Sequence, residues 1–512
     1  MKTSRAIWLL LFAVAAVTSI DARVTPLAIQ QNSQNPNDNR PDGFPKIART
    51  DTLVAALDSV ARAHADLDLF SGTVLVAHDG EVLYEKAFGF ANLEWKIPNG
   101  PETVFDLASL SKQFTAAAVL ILYDRGRLDL DAFVGSYVPA LDSEVFKKLT
   151  VRQLLTHTSG LPDEPLPPAT ISNLQFMTRK GLVAALNKLE PVYEPGAHFS
   201  YSNSGYNVLA LVIESLSGMK FGDFLKKEIF QPLGMTATAF RERNEVFEHG
   251  AEGYGKLRGQ KVVEHWANAD IQAMGCGNVY STVRDLMKWD RALYDHKVIS
   301  KKSTDLMFTR ALNNYGFGWD LPTNLFINRQ PQVVAMHSGR GPGTSTIIQR
   351  FTEQKLLVVV LSNVQNSNVQ ALAADLCGTI GGVEMPAPRP SFEDELQNVL
   401  FSQGVEAAAQ AHRAAAKEKK YTMPGSGQLN RLAYQFLRAG RVEESLKVFE
   451  VYLALYPKNS FAHDGYAEAL FLNNETERSI DYYKKALELN PQNAAAIRML
   501  KYLTSGSNQL NQ

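Results

Sequence analysis

The sequence predicts an α+β domain followed by an all-α helical-repeat domain. Alternating strands near residue 80 and strand-like segments near residue 350 flank a middle region, 150–300, whose pattern is mainly helical. Strands at both ends with helices between them indicate one antiparallel sheet with flanking helices and an inserted helical subdomain. Near the carboxyl end, a 34-residue period indicates stacked helical hairpins. A cleft between sheet and inserted helices is a common place for a site.

The composition excludes several other classes of protein. The 512 residues are 45% hydrophobic and 21% charged, which argues against wholesale disorder, collagen or a coiled coil. Lys plus Arg number 52 and Asp plus Glu 53, so the net charge of −1 gives no bulk field to hold nucleic acid or an anionic membrane. Two cysteines cannot build a disulfide framework, and no CxxC pair offers a zinc site. We therefore expect no nucleic-acid partner and no metal site.

Residues 1–22 have the order of a secretory signal peptide. A positively charged start precedes an apolar run from Ala6 to Val17, and small residues follow. That run is too short to span a bilayer comfortably, and an uncleaved anchor is the alternative. We expect export to a bacterial-type periplasm or the extracellular space, without stable membrane insertion after cleavage. Residues 23–49, rich in Asn, Gln and Pro, are expected to form a flexible leader.

Residues 50–380 are expected to form the catalytic domain. It opens with two alternating segments joined by Asp79-Gly80, a dipeptide that favours the two-residue turn of a β-hairpin. A long apolar helix follows from about Leu107 to Tyr123, and two strands and a helix of small residues close the domain. The strand segments are GTVLVAH (72–78), EVLYEKAF (81–88), TSTIIQRF (344–351) and KLLVVVLSN (355–363).

A linker rich in proline and glycine, residues 381–395, separates this domain from a helical domain at 396–512. Within the helical domain, residues from about 426–459 and 460–493 repeat with a period of 34 that resembles the tetratricopeptide repeat. Each unit would be a helical hairpin whose apolar face a neighbour must cover. The domain is expected to be either a solubilising cap or a docking surface for a protein partner.

Ser109 and Lys112 form an S-x-x-K motif at the start of the long helix. A spacing of three puts both side chains on one helical face, so the amine can reach the hydroxyl. A serine hydroxyl is a poor nucleophile without an adjacent base, and a lysine acts as that base only when its surroundings lower its pKa from about 10.4. The motif therefore indicates an activated serine.

Two further motifs follow in the chain. Tyr201 lies about 90 residues after Ser109, and His337 lies about 135 residues after Tyr201. Tyr201 supplies a phenol that can relay a proton to or from Ser109, and Asn203 supplies an amide that can hold an acyl side chain. His337 supplies an imidazole that can hydrogen-bond or charge-pair with the substrate or with the phenol. Gly339 permits close approach of a substrate carbonyl.

Each motif alone is weak, because S-x-x-K recurs at Ser217 and H-x-G recurs at His78 and His463. The ordered set with its flanks resembles the class C β-lactamase and penicillin-binding-protein-like serine hydrolases, which also include esterases and D-aminopeptidases. The resemblance covers about residues 55–375. Its stretches are FDLASLSKQFTAAAVLIL, LTVRQLLTHTSGLP, FSYSNSGYNVLALVIESLSG, IFQPLGM and GCGNVYSTVRDLMKW.

The resemblance implies a β-lactamase/transpeptidase-like fold, a role for each motif residue, and no metal or organic cofactor. The matching residues are the acylated serine Ser109, its activating lysine Lys112, the catalytic tyrosine Tyr201, the substrate-contacting amide Asn203, and His337 and Gly339 at the first and third places of the strand triad. It also implies an oxyanion hole built from the backbone N–H groups of Ser109 and Arg340. Whether Lys112 or Tyr201 is the base stays open.

The chain departs from the family pattern at one motif. β-Lactamases and transpeptidases of this group usually carry Lys-Thr-Gly where this chain has His337-Ser338-Gly339. A histidine, mostly neutral near pH 7 by its reference pKa of about 6.5, is a weaker site for a substrate carboxylate than a lysine. The departure favours an esterase or a D-amino-acid peptidase over a β-lactamase.

Other polar residues have simpler interpretations. His157 is expected to order its loop, and Asp163 and Glu164 are expected to lie in a solvated loop rather than a metal site. Cys276 and Cys377 are expected either to pair in an oxidising compartment or to be buried free thiols.

These observations lead to one functional expectation with two alternatives. We expect an exported serine hydrolase that forms a covalent acyl-enzyme from an ester or amide, with a small-molecule or peptide substrate in the cleft. The first alternative is a β-lactamase or D,D-peptidase acting on β-lactams or peptidoglycan peptides. The second is an inactive hydrolase fold that serves as a binding or scaffold protein through its repeats.

Overall fold

The computed structural model describes residues 47–163, 178–242, 245–264, 273–323, 326–327 and 330–504. Its strands are β1 (Gly72–His78), β2 (Glu81–Phe88), β3 (Phe90–Asn92), β4 (Ile97–Pro98), β5 (Phe105–Asp106), β6 (Ala239–Phe240), β7 (Tyr254–Leu257), β8 (Gln260–Val263), β9 (Val279–Ser281), β10 (Phe326–Ile327), β11 (Gln330–Pro331), β12 (Val334–Gly341), β13 (Thr344–Phe351) and β14 (Leu356–Ser362). Its helices are α1 (Asp51–Asp66), α2 (Lys112–Asp124), α3 (Val151–Leu155), α4 (Arg179–Leu186), α5 (Asn203–Ser217), α6 (Phe221–Leu225), α7 (Val283–Tyr294), α8 (Lys301–Met307), α9 (Val369–Ile380), α10 (Glu393–Gln403), α11 (Val405–Glu418), α12 (Ser426–Arg438), α13 (Val442–Leu455), α14 (Ser460–Leu472), α15 (Thr476–Leu489) and α16 (Ala494–Thr504).

The catalytic domain is built on a five-stranded antiparallel sheet with the order β12-β13-β14-β1-β2. Strands from both ends of the domain therefore meet in one sheet, as the sequence predicts. The β1–β2 hairpin pairs His78 with Glu81. Its two turn residues, Asp79 and Gly80, have φ angles of 50° and 79°, and positive φ at both positions is what the turn of a tight hairpin requires.

Both faces of this sheet are covered, which explains why its two middle strands, β14 and β1, are mainly apolar. Successive side chains of β1 point to opposite faces. Val74 and Val76 pack in a core formed with α1 and α9, whereas Leu75 and Ala77 pack in a larger core with α2, α5 and α7. The result is the α+β architecture with an inserted helical layer that the sequence predicts.

The carboxyl-terminal region is helical from α10 to α16, also as predicted. Helices α14 and α15 start 34 residues after α12 and α13, respectively. A buried contact recurs at the same offset. Ser445 Oγ donates to the Ala433 carbonyl at 2.8 Å, and Ser479 Oγ donates to the Ala467 carbonyl at 2.7 Å. The small residues at these positions thus allow a helix pair to approach closely in each unit.

The helical domain shares a hydrophobic core with the β7–β8 hairpin of the catalytic domain. Leu257 of β7 is 2% exposed and packs among side chains of α10, α12 and α13. The Arg258 backbone N–H donates to Gln397 Oε1 at 2.7 Å, and the Arg258 guanidinium lies 5.0 Å from the centre of the Phe401 ring. The two domains are therefore packed together rather than joined by the linker alone.

Several expectations from the sequence lie outside the described residues, namely the signal peptide at 1–22, most of the leader at 23–49, and Glu164. Within the part that the structure describes, no helix is both long enough and apolar enough to cross a membrane. Cys276 and Cys377 are buried free thiols, so the alternative in which they pair is wrong for this structure.

Candidate active site

Ser109, the candidate nucleophile, lies in a single 3₁₀ turn, Ala108–Ser111, and α2 begins only at Lys112. The helix thus starts later than the sequence predicts. Ala108 has a φ of 47°, a left-handed conformation that is uncommon for a residue with a Cβ. The Asp106 carboxylate accepts the Ala108 N–H at 2.8 Å and so holds this strained turn. Burial raises the pKa of Asp106 to about 6, and the Ala108 N–H opposes that rise.

Two threonines of β13 attach this turn to the sheet. Thr344 Oγ1 donates to the Asp106 carbonyl at 2.8 Å, and Thr346 Oγ1 donates to the Leu107 carbonyl at 2.9 Å. Both carbonyls precede Ser109 in the chain. The nucleophile candidate is therefore positioned by the sheet as well as by α2.

Lys112 is fully buried at the first turn of α2. Its Nζ donates to Ser109 Oγ at 3.2 Å, to Asn203 Oδ1 at 2.7 Å and to the Cys276 carbonyl at 2.9 Å. Three acceptors match the three hydrogens of an ammonium group. The spacing of S-x-x-K thus brings the two side chains together as predicted, and the Cys276 carbonyl joins them.

Tyr201 lies beside this pair. Lys112 Nζ is 4.7 Å from the centre of the Tyr201 ring, a cation–π arrangement in a buried setting. Burial raises the pKa of the Tyr201 phenol well above its usual value, while its hydrogen bond with Ser109 opposes the rise. The phenol therefore keeps its proton near neutral pH and faces the Ser109 hydroxyl.

The loop that carries Tyr201 is fixed by a buried histidine. His157 Nδ1 accepts the Ser202 N–H at 3.0 Å, and the His157 and Tyr201 rings lie 4.3 Å apart between centres. Ser202 Oγ caps α5 by accepting the Gly205 N–H. Burial lowers the pKa of His157 well below its usual value, as does the charge of Lys112, so its ring is neutral. The structure thus gives His157 a loop-ordering position.

Asn203 is the first residue of α5 and its side chain faces Lys112. Its backbone N–H donates to Asp163 Oδ1 at 2.8 Å. Asp163, which the sequence places in a solvated loop, is exposed but takes part in the site. Desolvation raises its pKa, and the Asn203 N–H and the charges of Lys112 and Arg498 oppose that rise.

His337 lies in β12, but its partner is a different phenol from the expected one. Its Nδ1–H donates to the Ser338 carbonyl at 2.7 Å, so the neutral ring accepts the Tyr315 hydroxyl on Nε2 at 3.0 Å. Burial and the charge of Lys112 lower the pKa of His337 to about 3. In this structure both nitrogens of the neutral ring have protein partners. The expected hydrogen bond or charge pair with the substrate or with Tyr201 stays a prediction.

Gly339 is required by the packing of the fold. A Cβ at this position would overlap the Leu107 carbonyl oxygen and the Thr346 hydroxyl. The backbone that precedes Ser109 thus makes a close approach that needs a glycine, and the expected approach of a substrate carbonyl stays a prediction. Gly339 lets β12 and the nucleophile turn pack against each other.

Arg340 follows on the same strand, which is an outer strand of the sheet. The Met336 N–H and carbonyl point away from β13, because both bond to the Asp320 backbone. Backbone groups of a strand alternate in direction, so the N–H of Arg340, four residues later, points to the same free side. The turn that carries Ser109 packs against the same strand at Gly339, and the use of the Arg340 N–H as an oxyanion-hole donor stays a prediction.

The sequence missed three contributors to the site. The Cys276 carbonyl is a backbone group, so no side-chain pattern reveals it. Tyr315 stands outside every motif, and Asp106 is separated from Ser109 by two apolar residues. The described residues contain no cluster of His, Cys, Asp and Glu that could hold a metal ion.

The sheet, the inserted helices and this serine–lysine–tyrosine arrangement define a β-lactamase-fold serine hydrolase related to penicillin-binding proteins. The chain belongs to the Beta-lactamase family, whose sequence profile matches residues 57–376.

Individual relatives agree with this assignment. The chain is 36% identical over 318 residues to penicillin-binding protein 4* of Bacillus subtilis, a match that covers 57% of this chain and 68% of the relative. The solved structure of an octameric penicillin-binding protein homologue from Pyrococcus abyssi aligns with a TM-score of 0.58 and 26% identity, covering 69% of this chain and 82% of that one. A penicillin-binding protein from Bacillus halodurans, 24% identical with a TM-score of 0.53 over 63% of this chain and 99% of its own, shares the fold.

Proposed function

We propose that the protein is an exported serine hydrolase that forms a covalent acyl-enzyme from an ester or amide, of the esterase or D-amino-acid peptidase type. The observation that carries the proposal is the enclosed Lys112 ammonium, whose Nζ lies 3.2 Å from Ser109 Oγ beside the Tyr201 ring. Family membership supports hydrolysis by a serine. The order of residues 1–22 supports export.

In the proposed reaction, Ser109 Oγ attacks the substrate carbonyl and passes its proton to the Tyr201 oxygen, while the Tyr201 hydroxyl gives its own proton to the leaving group. The carbonyl oxygen becomes an oxyanion, which the backbone N–H groups of Ser109 and Arg340 stabilise. Each such donor contributes about 3 kcal/mol in related acyl-transfer reactions. The leaving group takes the proton, and a water molecule then releases the acid and restores the Ser109 hydroxyl.

Lys112 and Tyr201 have distinct parts in this proposal. Lys112 has three acceptors around Nζ, so it rests as an ammonium that stabilises negative charge developing on Ser109 Oγ. Tyr201 rests as a neutral phenol with a raised pKa, in a hydrogen bond with Ser109. It is therefore placed to pass a proton between Ser109 and the leaving group, with Lys112 favouring any transient phenolate.

The neutral His337 supports an esterase or D-amino-acid peptidase over a β-lactamase. Its pKa of about 3 leaves no cation at the place where Lys-Thr-Gly enzymes hold a substrate carboxylate. The alternative of a β-lactamase or D,D-peptidase is supported by the penicillin-binding proteins among its relatives. Rapid turnover of nitrocefin favours a β-lactamase, and release of D-alanine from a stem-peptide analogue favours a D,D-peptidase.

The chain offers a matched pair of variants for testing the nucleophile. Ser109→Ala should lower kcat/KM for 4-nitrophenyl esters by at least about 10³-fold, because it removes the proposed nucleophile. Ser217→Ala changes the serine of the second S-x-x-K motif and should leave turnover as in the wild type. Intact-mass spectrometry with a fluorophosphonate should find one adduct in the wild type and in Ser217→Ala, and none in Ser109→Ala.

Two results would contradict this mechanism. Full ester turnover by Ser109→Ala would remove Ser109 as the nucleophile. If the wild-type chain forms no adduct with a fluorophosphonate, a penicillin or an activated ester, the alternative is favoured in which the hydrolase fold is inactive and the protein serves as a binding or scaffold protein.

A further inference from the structure

His157 has an uncommon backbone conformation just after α3. Its φ of 55° lies in the left-handed region, which a residue with a Cβ seldom adopts. Its N–H donates to the Leu154 carbonyl at 3.3 Å, and the next N–H, that of Thr158, donates to the Gln153 carbonyl at 2.9 Å. The end of α3 thus holds His157 in place, and the residue is fully buried.

From this position His157 contacts the chain on both sides of Tyr201. The Ser200 N–H donates to the His157 carbonyl at 2.8 Å, and the Ser202 N–H donates to His157 Nδ1 at 3.0 Å. The imidazole also packs on the phenol ring, with 4.3 Å between ring centres and 33° between ring planes. One residue therefore contacts the backbone before Tyr201, the backbone after it and the ring itself.

Two further aromatic rings enclose the imidazole. The Tyr206 and Tyr315 rings lie 5.0 Å and 4.7 Å from it, measured between ring centres. The Tyr206 hydroxyl donates to the carbonyl of Leu155, the last residue of α3, at 2.9 Å. An imidazole packed among three aromatic rings has little freedom to move, so it gives the Tyr201 ring a rigid neighbour.

A histidine at this position reduces stability in two ways. Because Nδ1 accepts an N–H and the ring is neutral, the imidazole hydrogen lies on Nε2. Nε2 is buried and has no hydrogen-bond partner among the described residues. A buried donor without an acceptor is destabilising, and so is a left-handed backbone at a residue with a Cβ. Backbone strain of this kind is concentrated at functional sites, where the position of a group matters more than stability.

We propose that His157 is a positioning residue for catalysis, which orients the Tyr201 phenol toward Ser109 Oγ. The inference rests on the proposed function, in which the Ser109 proton passes to the Tyr201 oxygen. Proton transfer in the transition state requires the two oxygen atoms to lie within hydrogen-bond reach in the right direction. His157 therefore acts through Tyr201, on the rate of acylation rather than on the affinity for the substrate.

Two substitutions separate the contacts of His157. His157→Phe keeps a ring against Tyr201 but removes the acceptor for the Ser202 N–H. His157→Asn removes the ring, but it keeps an acceptor and a residue type that tolerates the left-handed conformation. His157→Phe should lower the acylation rate constant by at least about 30-fold, and His157→Asn should restore part of that loss.

Pre-steady-state release of 4-nitrophenol from 4-nitrophenyl acetate measures the acylation rate constant and the Kd of the substrate separately. The Kd should stay within about twofold of the wild-type value in both variants. His64→Asn is the matched control, because His64 is 2% exposed and its imidazole bonds Asp375 in a different core. It should lower the urea midpoint and leave the acylation rate constant within about twofold of the wild-type value.

A double-mutant cycle with Tyr201→Phe distinguishes positioning from a purely structural role. If His157 acts through the Tyr201 hydroxyl, His157→Phe should change the acylation rate constant by no more than about twofold once Tyr201→Phe is present. An equal loss with and without the hydroxyl would overturn the inference and leave the proposed function in place. Wild-type acylation in Tyr201→Phe would overturn the proposed proton path and the inference with it. If His157→Phe does not fold, the same cycle with His157→Asn decides between these outcomes.

Discussion

Two buried histidines next to Lys112 are held in the neutral form. His157 accepts the Ser202 N–H, and His337 accepts the Tyr315 hydroxyl. In both cases burial is the main cause of the lowered pKa, and the ammonium of Lys112 adds to it. A neutral imidazole is therefore part of the native state at this site rather than a group that titrates during catalysis near pH 7.

The lowered pKa of His337 predicts a loss of stability in acid. The folded protein keeps this ring neutral down to a pKa of about 3, whereas the unfolded chain takes up a proton near its reference value of 6.5. The stabilising contribution is thus complete above pH 6.5 and decreases as the pH falls toward 3. At pH 5 the loss for this one histidine is about 2 kcal/mol.

Urea unfolding at pH 7.5 and pH 5.0 checks this prediction. His337→Gln, which keeps an acceptor for Tyr315, should show a difference between the two pH values that is smaller than in the wild type by about 2 kcal/mol. His249→Gln, at an exposed position, should behave as the wild type does. If wild type and His337→Gln show equal differences, His337 is not held neutral.

At the scale of single residues, the sequence predicted which side chains form the site better than it predicted their hydrogen-bond partners. Ser109 and Lys112 meet because a three-residue spacing near a helix start is a local geometric fact. The Cys276 carbonyl and the Tyr315 hydroxyl come from distant parts of the chain, and only the packing of α2 and β12 brings them near. No pattern in the sequence encodes those long-range contacts.

At the scale of elements, the site depends on how closely β12 approaches the turn before α2. The Leu107 carbonyl occupies the space where a side chain of residue 339 would lie, and Thr346 donates to the same carbonyl. The absence of a Cβ at Gly339 and the hydroxyl of Thr346 thus allow β12 and the turn to pack closely against each other. The position of the Ser109 turn relative to β12 follows from this packing.

Gly339→Ala should therefore impair both activity and stability. The added methyl group forces the turn away from β12, at a cost of about 2 kcal/mol in the free energy of unfolding. Misplacement of Ser109 against the Arg340 N–H should lower kcat by about 100-fold. Ester hydrolysis and urea unfolding measure the two effects.

Gly100→Ala is the matched control for this prediction. Nothing lies within 4 Å of a Cβ built at Gly100, so activity and stability should stay close to those of the wild type. Wild-type kcat in Gly339→Ala would show that the turn and the strand move apart without consequence for the reaction. The sequence identified Gly339 as a candidate site residue, but its close contact with the Leu107 carbonyl of the turn before α2 was visible only in the structure.

At the scale of the whole molecule, the catalytic domain completes the core of the helical domain. Leu257 of β7 is 2% exposed and packs with apolar side chains of α10, α12 and α13. Its neighbour in the same hairpin, Val263 of β8, is 45% exposed. Substitutions at these two positions therefore distinguish the contribution of the domain interface to stability from the contribution of the hairpin itself.

Leu257→Ala should destabilise the helical domain although the change lies outside it. Removing a buried leucine side chain costs about 3 kcal/mol when the cavity does not collapse. The urea midpoint of the helical signal at 222 nm should fall for Leu257→Ala and stay constant for Val263→Ala. An unchanged midpoint in Leu257→Ala would mean that the helical domain does not depend on the hairpin.

The sequence predicted both domains, and their mutual placement came from the structure. The period of 34 follows from small and apolar residues inside each helix pair, such as Ser445 and Ser479. The orientation of α12 toward the sheet depends on single polar contacts such as that between Gln435 and Asn366. These residues are unremarkable in the sequence because their partners are specific only in three dimensions.

The two outer strands of the sheet also affect how copies of this protein behave in concentrated solution. The free side of β12 is bonded at Met336 by the Asp320 backbone, and the turn before α2 packs against the same strand at Gly339. On the other side, β2 carries Glu85 and Lys86, which are paired with Arg284 and Asp58. Charged or covered outer strands discourage a second chain from adding to the sheet by backbone hydrogen bonds. We therefore expect copies of this protein that associate to do so through surfaces other than the edges of the sheet.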